Sequence, residues 1–162
     1  MDRVPSTLVV GPYLRLQQAI YKGTGGRFGR RLAGAPALLL TTIGRKTGQQ
    51  RTNALIYLRD GETWVVVASN GGSDRPPGWL ANLRANPNVI VQDRTTATPA
   101  TAQVASAAER ERLWPLVNRN NRGFAPLLHP GALGRYDVYQ RRTTREIPVV
   151  ILRPEPPARD RR

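Results

Sequence analysis

The sequence predicts an α+β domain: a mostly antiparallel β-barrel carrying a few peripheral helices. Two observations lead there. From residue 36 onward, apolar runs of strand length succeed one another with turn residues between them. Two of those runs meet at Asp60-Gly61, a strong hairpin signal, so neighbouring strands are expected to be antiparallel rather than linked by helical crossovers.

In chain order, Gly11-Pro12 can open a first helix, because proline is tolerated at the first helical position. Tyr13, Leu16 and Ile20 then recur at helical spacing, and the helix ends near Lys22. "KGTGGRFGRRLAGAP" follows as a Gly- and Arg-rich loop. Its glycines are misplaced for G-x-G-x-x-G and it follows a helix, so it is no dinucleotide fingerprint. "ALLLTTI", "RTNALIYLRD" and "TWVVVASN" read as three strands. "PPGWLANLRANP" reads as a short helix with Trp79, Leu80 and Leu83 on one face, ended by Asn86-Pro87. "NVIVQD" and "ATAQVAS" give two more strands around a turn at residues 93–99. Ser106 and Glu109 form a capping box that opens "AAERERLWPLV", a helix that Pro115 should kink or shorten. Residues 118–134 read as irregular, "GRYDVYQRR" as a helical turn and "IPVVILR" as the last strand. Residues 1–153 are therefore expected to form one domain, and 154–162 a disordered basic tail.

Composition narrows the function. At 162 residues the chain can bury a core of its own. With no cysteine, disulfides and thiolate metal sites are excluded. The single histidine, His129, has no acidic or nucleophilic partner at a recognisable spacing, so neither a metal site nor a catalytic triad can be built on it. No apolar run approaches the roughly 18 residues of a membrane span, and the N-terminus lacks a signal-peptide pattern, so a cytoplasmic location is expected.

The net charge of +14 favours polyanions, among them a multiply charged cofactor. It is spread from Arg3 to Arg162 with no nucleic-acid motif of fixed spacing, so no nucleic-acid partner is expected. The first helix, followed by Arg27, Arg30 and Arg31, suits peripheral contact with an anionic membrane, or else covers the barrel with its apolar face.

Three segments are candidates for chemistry. "GRKTGQQR" places Arg45, Lys46 and Arg51 in one turn with Gly44, Thr47 and Gly48. Small residues let backbone N–H groups approach an anion, and arginine grips phosphate or carboxylate bidentately; the same composition also fits a solvated turn. "ASNGGSDRPPGW" ends a strongly apolar strand with Ser69, Asn70 and two consecutive glycines, which signals unusual backbone or the close approach of another group. Tyr136 and Tyr139 share a helical face, either as the wall of an aromatic pocket or as ordinary packing.

In their order along the chain, "GAPALLLTTIGRKTGQQRTNALIYLRDG", "VVVASNGGSDRPPGWLANLRANPNVIVQ", "LWPLV" and "REIPVVIL" resemble the deazaflavin-dependent nitroreductase family of the flavin/deazaflavin oxidoreductases, common in actinobacteria. The resemblance covers roughly residues 12–152. It implies a split β-barrel of the FMN-binding kind and the cofactor F420, a deazaflavin with a phosphodiester and oligoglutamate tail; FMN, which related barrels use, is the alternative.

By resemblance, Arg45, Lys46 and Arg51 hold the tail, with Thr47 and Gly48 shaping the turn. Asn53, Ala54 and Leu55 run along the ring, and Ser69, Asn70, Gly71 and Gly72 approach from the next strand. Pro77, Trp79 and Asn82 complete the wall, and Tyr136 and Tyr139 line the substrate pocket. Ser69 and the two tyrosines are the candidate catalytic hydroxyls, and no metal is implied. The partner implied is a small-molecule electron acceptor such as a quinone, enone or nitroaromatic, reduced by hydride transfer from F420H2. A non-catalytic carrier is the rival from another class, and the oligomeric state is monomer or homodimer. The chain departs from the family pattern at Ala54, Ile56 and Asn70, where members often carry proline, tyrosine and lysine, and Arg75 is placed to replace the lost charge.

Overall fold

The computed structural model describes residues 31–32, 35–120 and 136–156. The strands are β1 (Arg31–Leu32), β2 (Ala35–Ile43), β3 (Gln50–Ile56), β4 (Leu58–Asp60), β5 (Thr63–Val67), β6 (Asn88–Asp93), β7 (Thr96–Val104) and β8 (Val149–Pro154). The helices are α1 (Gly78–Ala85), α2 (Ala107–Asn120) and α3 (Tyr136–Arg141), with a short 3-10 turn over Asn70–Gly72. Every strand pairing is antiparallel, in the order β1-β2-β6-β7-β8-β5-β4, with β3 paired to β2.

The sheet curls because alternate residues of its strands share one interior. Leu38 and Leu40 of β2, Trp64 and Val66 of β5, Val89 and Val91 of β6, and Val150 and Leu152 of β8 converge there, and Trp79, Leu80 and Leu83 of α1 pack into the same cluster. This is the split barrel. β5 and β8 also bury their opposite faces. Val65, Val67, Val149 and Ile151 pack against Leu113 and Val117 of α2 and Tyr136 and Tyr139 of α3, giving a second core.

Most strands fall where the hydrophobic pattern puts them, but "RTNALIYLRD" is two strands, not one. β3 stays paired with β2 up to Ile56↔Ala37, whereas β4 pairs with β5 from Leu58↔Val65. Tyr57 makes the corner between them: its N–H donates to the Pro36 carbonyl at 3.2 Å and its buried side chain joins the barrel core. The Asp60-Gly61 hairpin forms as expected, closing on Asp60↔Thr63.

The turn after β6 is shorter than expected. Asp93 pairs with Thr96, so Pro99 lies inside β7. It is tolerated there because pairing with β8 begins only at Ala100↔Pro154. The Ser106 capping box is present, with Glu109 N–H donating to Ser106 Oγ at 3.2 Å and Ser106 N–H to Glu109 Oε2 at 2.8 Å. Pro115 does not end α2, which continues to Asn120. Val117 and Asn118, both buried, anchor that last stretch, and Asn118 Nδ2 donates to the Trp114 carbonyl at 2.8 Å.

At the other end, β8 reaches Pro154 and the Glu155 N–H donates to the Pro99 carbonyl at 2.9 Å. The expected N-terminal helix, the rest of the 118–134 loop with His129, and residues 157–162 of the tail lie outside the described residues. Among the described residues, no helix is long and apolar enough to cross a membrane.

Candidate cofactor and substrate site

The cation-rich segment is the loop joining β2 to β3. It closes on itself: Gly44 N–H donates to the Gln49 carbonyl and Gly48 N–H to the Gly44 carbonyl, both at 2.7 Å. Gly44 is needed there, because a Cβ would meet Thr47 Oγ1 at 2.8 Å and the Gln49 carbonyl at 3.1 Å, and Gly48 takes a φ of +69°. Arg45, Lys46, Thr47 and Arg51 are exposed. Among the described residues the ion pairs are Arg112 with Asp60 and Arg153 with Glu109, so none of the loop's three cations is neutralised by a described carboxylate.

Helix α1 fixes this loop. The Arg45 N–H donates to Asn82 Oδ1 and Asn82 Nδ2 donates to Thr42 Oγ1, each at 3.1 Å. The Asn82 amide is therefore spent on protein partners, and the structure puts it behind the loop as a brace. Trp79, from the same helix, is 6% exposed within the barrel core, and Pro77 is half-buried just before the helix. Asn53, Ala54 and Leu55 are half-buried on β3, whose strand pairing is with β2 alone.

The segment after β5 folds tightly. Asn70, Gly71 and Gly72 all take positive φ, at 46°, 64° and 79°. Asn70 Nδ2 closes the segment by donating to the Arg75 carbonyl at 2.8 Å. The close approach signalled by the paired glycines proves to be to α3: a Cβ on Gly72 would lie 2.5 Å from the Tyr139 carbonyl oxygen. Ser69 is 9% exposed, and its hydroxyl makes no capping bond to the 3-10 turn it precedes.

Tyr136 and Tyr139 meet edge to face at 6.2 Å, inside the second core. Tyr136 also borders a narrow cleft with Ile56, Tyr57, Val67 and Asn120. Burial, and secondarily the neighbouring Tyr139, raise the Tyr136 phenol well above its ordinary range, so it stays a protonated donor at any physiological pH. Asp137, between the two tyrosines, is structural: its Oδ1 accepts from Trp114 Nε1 at 2.7 Å and Asn118 Nδ2 at 3.2 Å.

Two polar anchors carry no motif in the sequence. Asp93 accepts from Tyr57 Oη at 2.8 Å and from Trp64 Nε1 at 2.9 Å, tying the corner to β5. Arg145 reaches back across the sheet end to the backbone of residues 68–73. Only the accumulation of basic residues in "RRTTRE" hinted at it. Among the described residues no group of His, Cys, Asp or Glu could hold a metal.

The fold and site thus combine a split barrel with a cationic hairpin loop that has no described counter-ion, braced by a helix that follows a glycine turn. Residues 13–154 match the family described as F420H(2)-dependent quinone reductase. An F420H(2)-dependent quinone reductase of Mycobacterium tuberculosis is 46% identical over 142 residues, covering 86% of this chain and 88% of its own length.

A solved F420-H2 dependent reductase is 36% identical with a TM-score of 0.60, covering 72% of this chain and 93% of its own. Another solved structure, described as a domain-swapped dimer, is 32% identical with a TM-score of 0.62, covering 88% of this chain and 98% of its own. The chain belongs to the F420H(2)-dependent quinone reductase family.

Proposed function

We propose that this protein reduces a quinone with F420H2, binding the cofactor across the β2–β3 loop, β3 and the turn after β5. The observation that carries the reading is the loop itself: three exposed cations on a braced backbone, with no described carboxylate to neutralise them. An anion held there gains from arginine's fork geometry and from a compact lysine charge.

The residues present fit F420 in two respects. A phosphodiester followed by carboxylates is a multiply charged tail, which suits three cations better than the single phosphate of FMN. In addition, Ser69 Oγ and Tyr136 Oη are hydroxyls on nearly buried residues and have no partner among the described residues. A buried donor left unpaired costs about 1–3 kcal/mol, and in this reading oxygen atoms of the bound ligand accept from both hydroxyls.

In this reading Arg45, Lys46 and Arg51 hold the tail, with Thr47 and Gly48 shaping the contact. Asn53, Ala54 and Leu55 offer the edge of β3 to the ring, and Ser69, Asn70, Gly71 and Gly72 close over it. Pro77 and Trp79 form the adjoining wall, and Asn82 acts through the Arg45 backbone. Reduced F420 supplies a hydride when bound. The protein's part is to position it, exclude water and polarise the acceptor. Ser69 or Tyr136 donates to the quinone oxygen on which negative charge develops, and Tyr139 packs Tyr136 in place. Solvent can protonate the quinol anion, so no acid–base pair is required.

Residues 1–153 acting as one domain fit this reading. A homodimer is supported by the domain-swapped dimer among the similar structures, and light scattering on the purified chain tests it. The expected membrane contact rests on the first helix, outside the described residues.

The deciding experiment is fluorescence titration with F420 and then with FMN, followed by a naphthoquinone reduction assay. F420 binding that weakens on Arg45→Gln and Lys46→Gln, with quinone turnover, supports the proposal. Preference for FMN overturns the cofactor, and tight F420 binding without turnover of any acceptor turns the protein into a carrier.

A further inference from the structure

Residues 68–74 and 139–145 are laced together more densely than packing alone requires. The Arg145 guanidinium donates through Nη2 to the Ser69 carbonyl at 2.8 Å and through Nε to the Ser73 carbonyl at 2.8 Å. Nη1 and Nη2 both reach the Ala68 carbonyl at 3.3 Å. Thr143 Oγ1 donates to Asp74 Oδ1 at 2.7 Å, and Gly72 abuts the Tyr139 carbonyl. Arg145 is itself held, since its own carbonyl accepts from Gln140 Nε2 at 2.8 Å. Gln140 Oε1 in turn accepts from the Ile147 N–H at 2.9 Å and from Arg110 Nη2 at 3.1 Å.

We infer that Arg145 is a positioning residue that fixes the Ser69–Gly72 turn against the end of α3, so that the Ser69 hydroxyl is presented in one fixed position. The inference rests on the proposed quinone reductase reading for its catalytic consequence.

The geometry is specific to arginine. A planar fork meets the carbonyls of residues 68, 69 and 73 from three separate nitrogens, whereas an ammonium would have to serve all of them from one point. The turn gains from such a clamp, because it takes three successive positive φ values and its own backbone supplies only two 3-10 bonds, Gly72 N–H to the Ser69 carbonyl at 2.9 Å and Ser73 N–H to the Asn70 carbonyl at 3.2 Å. Freeing it leaves Ser69 in place along the chain but lets its hydroxyl wander. Misplacement of this size lowers turnover far more than it lowers binding of a tail held elsewhere.

The test compares wild type with Arg145→Lys, Arg145→Gln and Arg145→Ala in the full chain. Three quantities are read: amide hydrogen exchange, F420 affinity by fluorescence, and turnover of F420H2 with a naphthoquinone. Exchange at Gly72 and Ser73 is expected to rise at least about tenfold in Arg145→Gln while β8 amides keep their protection. Turnover is expected to fall about 10–100-fold, with F420 affinity within about threefold of wild type. Arg145→Lys should recover little, and methylguanidinium added to Arg145→Ala should restore part of the turnover.

Unchanged exchange at Gly72 and Ser73 overturns the inference, as does equal loss of affinity and turnover, or full recovery by lysine. If wild type binds no F420, the functional reading fails, and the exchange measurement still decides whether Arg145 holds the turn.

Discussion

Gly72 and Tyr139 touch through their backbones, leaving no room for a Cβ between the turn after β5 and α3. Gly72→Ala must therefore both strain a φ of +79° and push α3 away, whereas Gly71→Ala strains a φ of +64° in open space. We expect Gly72→Ala to lose at least about 3 kcal/mol of stability and Gly71→Ala about 1 kcal/mol. Urea denaturation of the two variants checks this, and equal losses would mean that α3 yields without cost.

Asp93 satisfies two buried donors with its two carboxylate oxygens. Asp93→Ala strands both the Tyr57 hydroxyl and the Trp64 indole N–H, so it should cost about 2–4 kcal/mol. Asp93→Asn retains one acceptor and should fall roughly midway. The same denaturation series separates them.

The Tyr57 phenol is pushed up to about 12, first by burial and then by its hydrogen bond to Asp93. Its folded-state value thus lies above the unfolded value near 10, and the folded protein binds the proton more tightly. The resulting stability is complete below about pH 10 and is lost as pH rises from there towards 12. Denaturation at pH 9 and pH 11 should show the fall, and Tyr57→Phe should make it shallower. Part of the slope should survive in that variant, because the buried Tyr136 phenol is raised as well.

Asn82 and Arg45 should weaken F420 binding in different ways. Asn82→Ala removes the brace on the Arg45 N–H but keeps all three cations. Affinity should fall about fivefold, the equivalent of about 1 kcal/mol, with the salt dependence of wild type. Arg45→Gln removes a charge and should also flatten the salt dependence. Titration at two ionic strengths distinguishes the cases.

Local signals predict the strands, the capping box at Ser106 and the hairpin at Asp60-Gly61, because each is written in residues close together along the chain. The corner at Tyr57 is not legible. "NALIYLRD" carries one unbroken apolar run from Ala54 to Leu58, and what divides it is pairing with two different partners, β2 and β5. Asp93 and Arg145 escape for a related reason, since each meets its partners only across the folded sheet. The glycine pair at residues 71–72 is legible as a close approach, but its neighbour is not, because Tyr139 lies more than sixty positions further on. The cation loop is the converse case. Its composition alone left solvated turn and anion cradle open, and the structure adds that its backbone is braced by Asn82 and its charges have no described counter-ion.

β5 and β8 each line the barrel with one face and the helical cluster with the other. A slip of either strand by one residue would exchange the linings of both cores at once. Neither half can therefore melt while the other stays intact, and the two strands form a common wall whose amides should be among the last to exchange with solvent. The same wall joins the barrel core to the cluster under α2, so a repacking mutation beneath α2 should be felt inside the barrel.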